Sequence, residues 1–172
     1  PLYSSAASDV YKRQSVKHDI DKPIENDMPN AEQLANIATG IASTVKNLGY
    51  TPRVALLSFS NFGSTRAQPS TRIEEAVAMA KEIDPTLIID GPMQADTALN
   101  RNVQHDYPFM NFEGPANVLV LPNLAAANIA YKLLEELGGA EMTGPILEGM
   151  DKPVQLVARS DGVRHIVNMA TI

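Results

Sequence analysis

The chain has 172 residues, 44% of them hydrophobic and 20% charged, with a net charge of −6 and no cysteine. That length and apolar content predict one domain with a real core, or a piece of a larger unit. The acidic balance argues against non-specific nucleic-acid binding, the missing thiols exclude disulfides, Cys-ligated zinc and thiol nucleophiles, and no apolar run approaches the ~20 residues that cross a bilayer.

Residues 2–14 (LYSSAASDVYKRQ) show neither helical nor strand period. They resemble a translated sequencing adapter, so residues 1–14 are expected to lie outside the fold. Residues 15–172 are expected to carry the folded part, truncated at both ends, because Ile172 falls inside an apolar helical pattern with no stop signal. Asn30 with Gln33 fits a capping box, in which side chains satisfy the orphan amides of a first turn. Leu34, Ile37, Ala38, Ile41, Val45 and Leu48 follow at helical spacing. Gly49 stands where a left-handed terminating residue is wanted.

Residues 53–58 predict a strand whose short, uniformly apolar run suits burial on both faces. Residues 58–70 (SFSNFGSTRAQPS) predict a loop. A second helix is expected from a Thr71 cap with Glu74 at N3, with Ile73, Ala76, Val77, Ala80 and Ile83 inward. Asp84-Pro85 stops it. Residues 87–90 predict a second strand, a turn at Gly91-Pro92 and then a short helix before Asn100. Residues 101–115 hold too many breakers for a regular element. Residues 118–121 predict a third strand, turned by Pro122-Asn123 into a helix over 124–137 that Gly138-Gly139 ends. After a loop at 142–149, residues 154–158 predict a fourth strand. Ser160 or Asp161 is expected to cap a last helix with Val163, Ile166, Val167 and Ala170 inward. Short buried strands alternating with amphipathic helices define an α/β fold with a mostly parallel sheet and flanking helices.

Open α/β sheets bind ligands beyond the carboxyl ends of their strands. That rule selects Ser58, Ser60, Asn61, Gly63, Ser64 and Arg66, then Asp90, Gln94 and Asp96, then Asn123 and Asn128, and last Arg159 and Ser160. The hydroxyl- and amide-rich loop at 58–64 suits an anion, or equally a surface connection with local turns. It matches neither common nucleotide cradle. Asp90 and Asp96 either share a divalent cation or cap local turns, and no third ligand is evident. Asn123 either caps the following helix or touches a ligand; Asn128, unusual in an Ala-rich helix, is either packed or a ligand contact. Arg159, at a strand's carboxyl end, suits phosphate or carboxylate, or a surface ion pair. His18, His105 and His165 lack metal-ligand spacing, so no metal site is assigned.

Residues 55–64 (ALLSFSNFGS), 90–100 (DGPMQADTALN), 114–134 (GPANVLVLPNLAAANIAYKLL) and 144–153 (GPILEGMDKP) resemble the phosphate acetyl/butyryltransferase family, in order and spacing, from about Ala31 onward. The resemblance implies the C-terminal part of a two-domain, isocitrate-dehydrogenase-like fold that works as a homo-oligomer, and acyl transfer between coenzyme A and phosphate. It implies a serine–arginine pair and a later aspartate as the reacting groups. Arg159 matches the arginine, but Ala158 stands in place of the serine and His165 in place of the aspartate, so no catalytic residue is assigned.

Ser60-Asn61-Phe62-Gly63-Ser64 and Ile166-Val167-Asn168-Met169-Ala170 are most similar to one branch, the transferase-like domain behind the catalytic domains of bacterial NADP-dependent malic enzymes. That branch implies an acetyl-CoA-sensing, oligomerising role, with NADP and a divalent metal held by upstream domains of the same chain. The alternative is an active phosphate acetyltransferase that uses acetyl-CoA or CoA as substrate. Neither reading implies nucleic acid or membrane, and with no signal-peptide hydrophobic region at the start a cytoplasmic location is expected.

Overall fold

Asn30 opens α1 (Ala31–Asn47) through a complete capping box: its Oδ1 accepts from the Gln33 amide, and the Gln33 side chain accepts from the Asn30 amide, both at 2.8 Å. Leu34, Ala35, Ala38, Ile41, Ala42 and Val45 form the buried stripe, the i, i+3, i+4 spacing of a helix with one face on a core. Leu48 is the exposed C-cap and Gly49 takes φ 85°. The computed structural model describes residues 28–64, 67–139, 143–144, 146–147, 154–157 and 162–171. The expectation for residues 1–14 falls outside them.

The sheet comes next. β1 (Arg53–Leu57) pairs in parallel with β2 (Ile88–Met93) on one side and β3 (Val118–Val120) on the other, in the order β2-β1-β3. Alternation then sorts the side chains. Val54, Leu56, Ile89, Val118 and Val120 face α1 and α2 (Gln68–Ile83) in the larger core. Ala55, Leu57, Ile88 and Leu119 face the other way, onto Met93, Ala98, Met110, Phe112 and Ala116. A helical layer thus covers one face. The short α3 (Ala95–Leu99) and the loops that follow it cover the other. Fully burying a side chain such as Leu34 or Leu56 stabilises by about 1.5–3 kcal/mol each, and both are 1% exposed.

Several boundaries depart from the sequence reading. α2 starts at Gln68, not after a Thr71 cap, and Ala67 caps it without a side-chain bond. Pro69 presets the first turn, and Ser70 is buried, with its Oγ 3.0 Å from that of Ser60. Ile83, expected inward, is exposed. β2 does not turn at Gly91-Pro92 but runs through the cis bond there to Met93. Residues 101–115 are mostly irregular, as expected, after the one-turn helix α4 (Arg101–Gln104).

The carboxyl-terminal region differs more. β5 (Val154–Gln155) is not a fourth parallel strand; it pairs antiparallel with β4 (Ile146–Leu147), apart from the main sheet. The connection between them is too short for the crossover that a parallel pair needs. The expected end of that strand at Ala158 lies outside the described residues. α5 (Leu124–Gly138) ends on left-handed Gly139, yet only Ala127 is buried, and Ile129, Leu133, Leu134 and Leu137 are exposed. α6 (Val163–Ala170) is capped by Gly162, not by Ser160 or Asp161, which lie outside the described residues. Of its side chains only Met169 is buried; Val163, Ile166 and Val167, expected inward, are exposed, as is Ala170. Among the described residues no helix is long and apolar enough to cross a membrane.

Candidate ligand site at the carboxyl edge of the sheet

From β1 the chain moves to β2 on one side, then passes back to β3 on the other. The direction therefore reverses between β1 and β3, the crevice where open α/β sheets collect ligands. The loop after β1, residues 58–64, and the turn after β3, at Asn123, flank that crevice.

Ser58 follows β1 directly. Its amide donates to the Met93 carbonyl at 2.8 Å, while its Oγ is buried with no hydrogen-bond partner among the described residues. Ser60 is buried against Ser70 on α2. Asn61 reaches across to the segment after β2: its Oδ1 accepts from the Gln94 amide at 2.6 Å, and its Nδ2 donates to Gln94 Oε1 at 3.2 Å and to the Tyr107 hydroxyl at 3.0 Å. Phe62 has φ 43°, an outlier for a bulky residue. It is held there by its amide, which donates to the Pro92 carbonyl at 2.7 Å, and by its ring, whose centroid lies 5.1 Å from Tyr107 and 4.9 Å from Phe109. Gly63 follows at φ 73°, and a Cβ there would lie 2.9 Å from Glu74 Oε1. Ser64 is exposed, its amide donating to the Asn61 carbonyl at 2.9 Å.

The other candidates divide. Asn123 is the N-cap of α5, its Oδ1 accepting from the Ala126 amide at 2.8 Å, while its Nδ2 donates to Met28 Sδ at 3.3 Å. Asn128 is not gathered with the loop; it is exposed and lines a shallow groove with Ile129, Tyr131, Lys132, Leu133, Glu136 and Leu137, all from α5. Asp90 and Asp96 each bond to backbone amides. Asp90 accepts from the amides of Gly91 and Asn111, both at 2.9 Å, and Asp96 accepts from the Thr97 amide at 2.8 Å. Among the described residues no cluster of acidic or histidine side chains could hold a metal. Arg66, Arg159, Ser160 and His18 lie outside the described residues.

Two features escaped the sequence reading. Tyr107, with Phe62 and Phe109, braces the loop, but it lies in a stretch with no regular period, so no pattern singled it out. Arg72, on the second turn of α2, has Nε and Nη2 buried without a hydrogen-bond partner among the described residues. Standing outside the apolar stripe of the expected helix, it carried no sequence signal of burial.

A three-stranded parallel sheet with flanking helices defines an α/β protein. The sequence model of the phosphate acetyl/butaryl transferase family matches residues 24–172. The chain belongs to that family.

It is 45% identical over 147 residues to an NADP-dependent malic enzyme of Rhizobium meliloti, covering 86% of this chain and 19% of that protein. It is 40% identical over 148 residues to a phosphate acetyltransferase of Bacillus subtilis, covering 86% of this chain and 46% of that one. Among solved structures, the EutD phosphotransacetylase from Staphylococcus aureus superposes with a TM-score of 0.80 at 35% identity, over 84% of this chain and 46% of the other. The chain therefore spans less than half the length of these relatives.

Proposed function

We propose that this chain is an acyl-CoA-binding, non-transferring member of the family, serving an NADP-dependent malic enzyme as its acetyl-CoA-sensing and oligomerising part. The observation that carries the reading is the pair Ala158 and His165, where the family resemblance places a serine and an aspartate. An alanine methyl can neither hydrogen-bond a thioester carbonyl nor relay a thiol proton, and losing such groups costs orders of magnitude in rate. Binding needs less. Arg159 keeps the guanidinium that grips phosphate oxygens in a bidentate fork. The loop at 58–64 and the turn at Asn123 follow the neighbouring strands β1 and β3, and among the described residues Ser58 Oγ has no hydrogen-bond partner.

In this reading NADP and a divalent metal belong to other parts of the same polypeptide, which would carry out malate decarboxylation, and the chain works within a homo-oligomer with a two-domain, isocitrate-dehydrogenase-like architecture. The second reading is an active phosphate acetyltransferase, with CoA and phosphate as substrates. It is favoured by the retained Arg159 and by the phosphotransacetylase relatives. The test is acetyl-CoA calorimetry on the full-length protein that carries this sequence. Arg159→Ala should weaken binding by about 1.5–3 kcal/mol, the scale of a hydrogen bond to a charged group. Unchanged binding removes Arg159 from the site.

A further inference from the structure

Resting on that reading, we infer that Asn61 is not a ligand contact but the positioning residue of the site, locking the 58–64 loop to the segment after β2 through Gln94 and Tyr107. An asparagine side chain has two N–H donors. Both are taken, one by Gln94 Oε1 at 3.2 Å and one by the Tyr107 hydroxyl at 3.0 Å, and its Oδ1 already accepts from the Gln94 amide at 2.6 Å. Asn61 therefore has no donor left for a phosphate or a thioester oxygen.

What it does instead is join two strand-end segments. Gln94 doubles the join, its Nε2 donating to the Phe59 carbonyl at 2.8 Å. One residue further, the Phe62 amide donates to the Pro92 carbonyl at 2.7 Å, and the Phe62 ring packs on Tyr107 and Phe109. Tyr107 and Phe109 meet edge-on at 6.0 Å. Side-chain amides, a backbone bond and three rings thus act on one short loop. They hold Phe62 at its unusual φ of 43°. Local strain of this kind persists only where the surroundings over-determine it. The lock removes conformational freedom before any ligand arrives, which lowers the ordering cost of binding.

A ligand-contact role predicts that only Asn61 matters. The lock predicts that its partners matter too, and that they matter as one unit. The experiment measures acetyl-CoA affinity, melting temperature and amide exchange in the full-length protein for Asn61→Ala, Gln94→Ala, the double variant and Tyr107→Phe. Asn61→Ala and Gln94→Ala should each weaken binding about tenfold, and the double variant no more than either alone, while Tyr107→Phe should weaken it about threefold, the range of one net hydrogen bond. Exchange of the Phe62 and Ser64 amides should rise at least about tenfold in Asn61→Ala, with the rest of the sheet unchanged. If Asn61→Ala binds poorly while Gln94→Ala and Tyr107→Phe bind like wild type, Asn61 is a ligand contact and the inference is overturned. If the unmutated protein binds no acyl-CoA, the proposed function fails, and the exchange measurement alone decides whether the lock exists. Should Asn61→Ala fail to fold, Tyr107→Phe, which keeps the ring contacts, carries the test: wild-type affinity and exchange there overturn the lock.

Discussion

Gly91→Ala should be among the most disruptive single methyl additions in this chain. Gly91 sits within β2 at φ 150°, a region that L side chains avoid. A Cβ built there would lie 2.6 Å from the Leu56 carbonyl oxygen and 3.0 Å from Leu56 Cβ. Leu56 is a fully buried residue of the central strand, so neither neighbour can retreat without moving β1. Two costs follow: about 1–3 kcal/mol for the backbone conformation and about 1–3 kcal/mol for overpacking. Together they predict a loss of about 2–6 kcal/mol, a large share of an ordinary domain's stability. Urea unfolding followed by far-UV circular dichroism reads it. With a slope of about 1–3 kcal/mol per molar, the midpoint should fall by about 1 M or more. Gly138→Ala is the matched control, since a Cβ there meets nothing within 4 Å at the end of α5. It should leave stability within about 1 kcal/mol, on the favourable side. A Gly91→Ala midpoint equal to that of Gly138→Ala would refute the close approach of β2 to β1.

Asn30→Ala removes the Oδ1 half of the capping box on α1 and should cost about 1 kcal/mol by the same unfolding assay. Asp84 gives a pH signature: the Thr86 hydroxyl at 2.6 Å, then Lys46 at 2.9 Å and the Thr86 amide, hold its carboxyl from 3.8 down to about 2. Its folded value is depressed, so its contribution is present above the unfolded value and lost as pH falls through the folded one; the melting gap between wild type and Asp84→Asn should narrow between about pH 4 and pH 2. The exposed apolar side chains of α5 should drive self-association, so Leu133→Lys with Leu137→Lys should lower the mass seen by light scattering, and an unchanged mass would place the contact elsewhere.

What the sequence made legible was periodic or capped. The Asn30 box, the α1 stripe, the apolar runs that open β1, β2 and β3 and the glycine stop at the end of α5 all encode local geometry, although β2 runs on through Gly91-Pro92 to Met93 instead of turning there. Period says which residues share a face, not what covers it. Val163, Ile166 and Val167 do lie on one helix, yet that face is exposed. The start of α2 was hidden because Ala67 caps it with no side-chain bond, so no cap residue marks it in the sequence. The candidate site was legible as a place, since strand-end logic needs only strand order. Its internal bonding was not: no spacing rule links Asn61 to Tyr107 or orients Gln94 toward the Phe59 carbonyl.

The account rests on binding without transfer, and acetyl phosphate formation tests it most directly. The full-length protein should be incubated with acetyl-CoA and inorganic phosphate, and released CoA thiol followed beside calorimetric binding of acetyl-CoA. The prediction, which follows from the proposed function, is saturable binding with no phosphate-dependent thiol release above background, because an alanine at position 158, where the family resemblance places a serine, offers the reacting groups no hydroxyl. Phosphate-dependent thiol release at enzymic rates would contradict it and establish an active acyltransferase in its place.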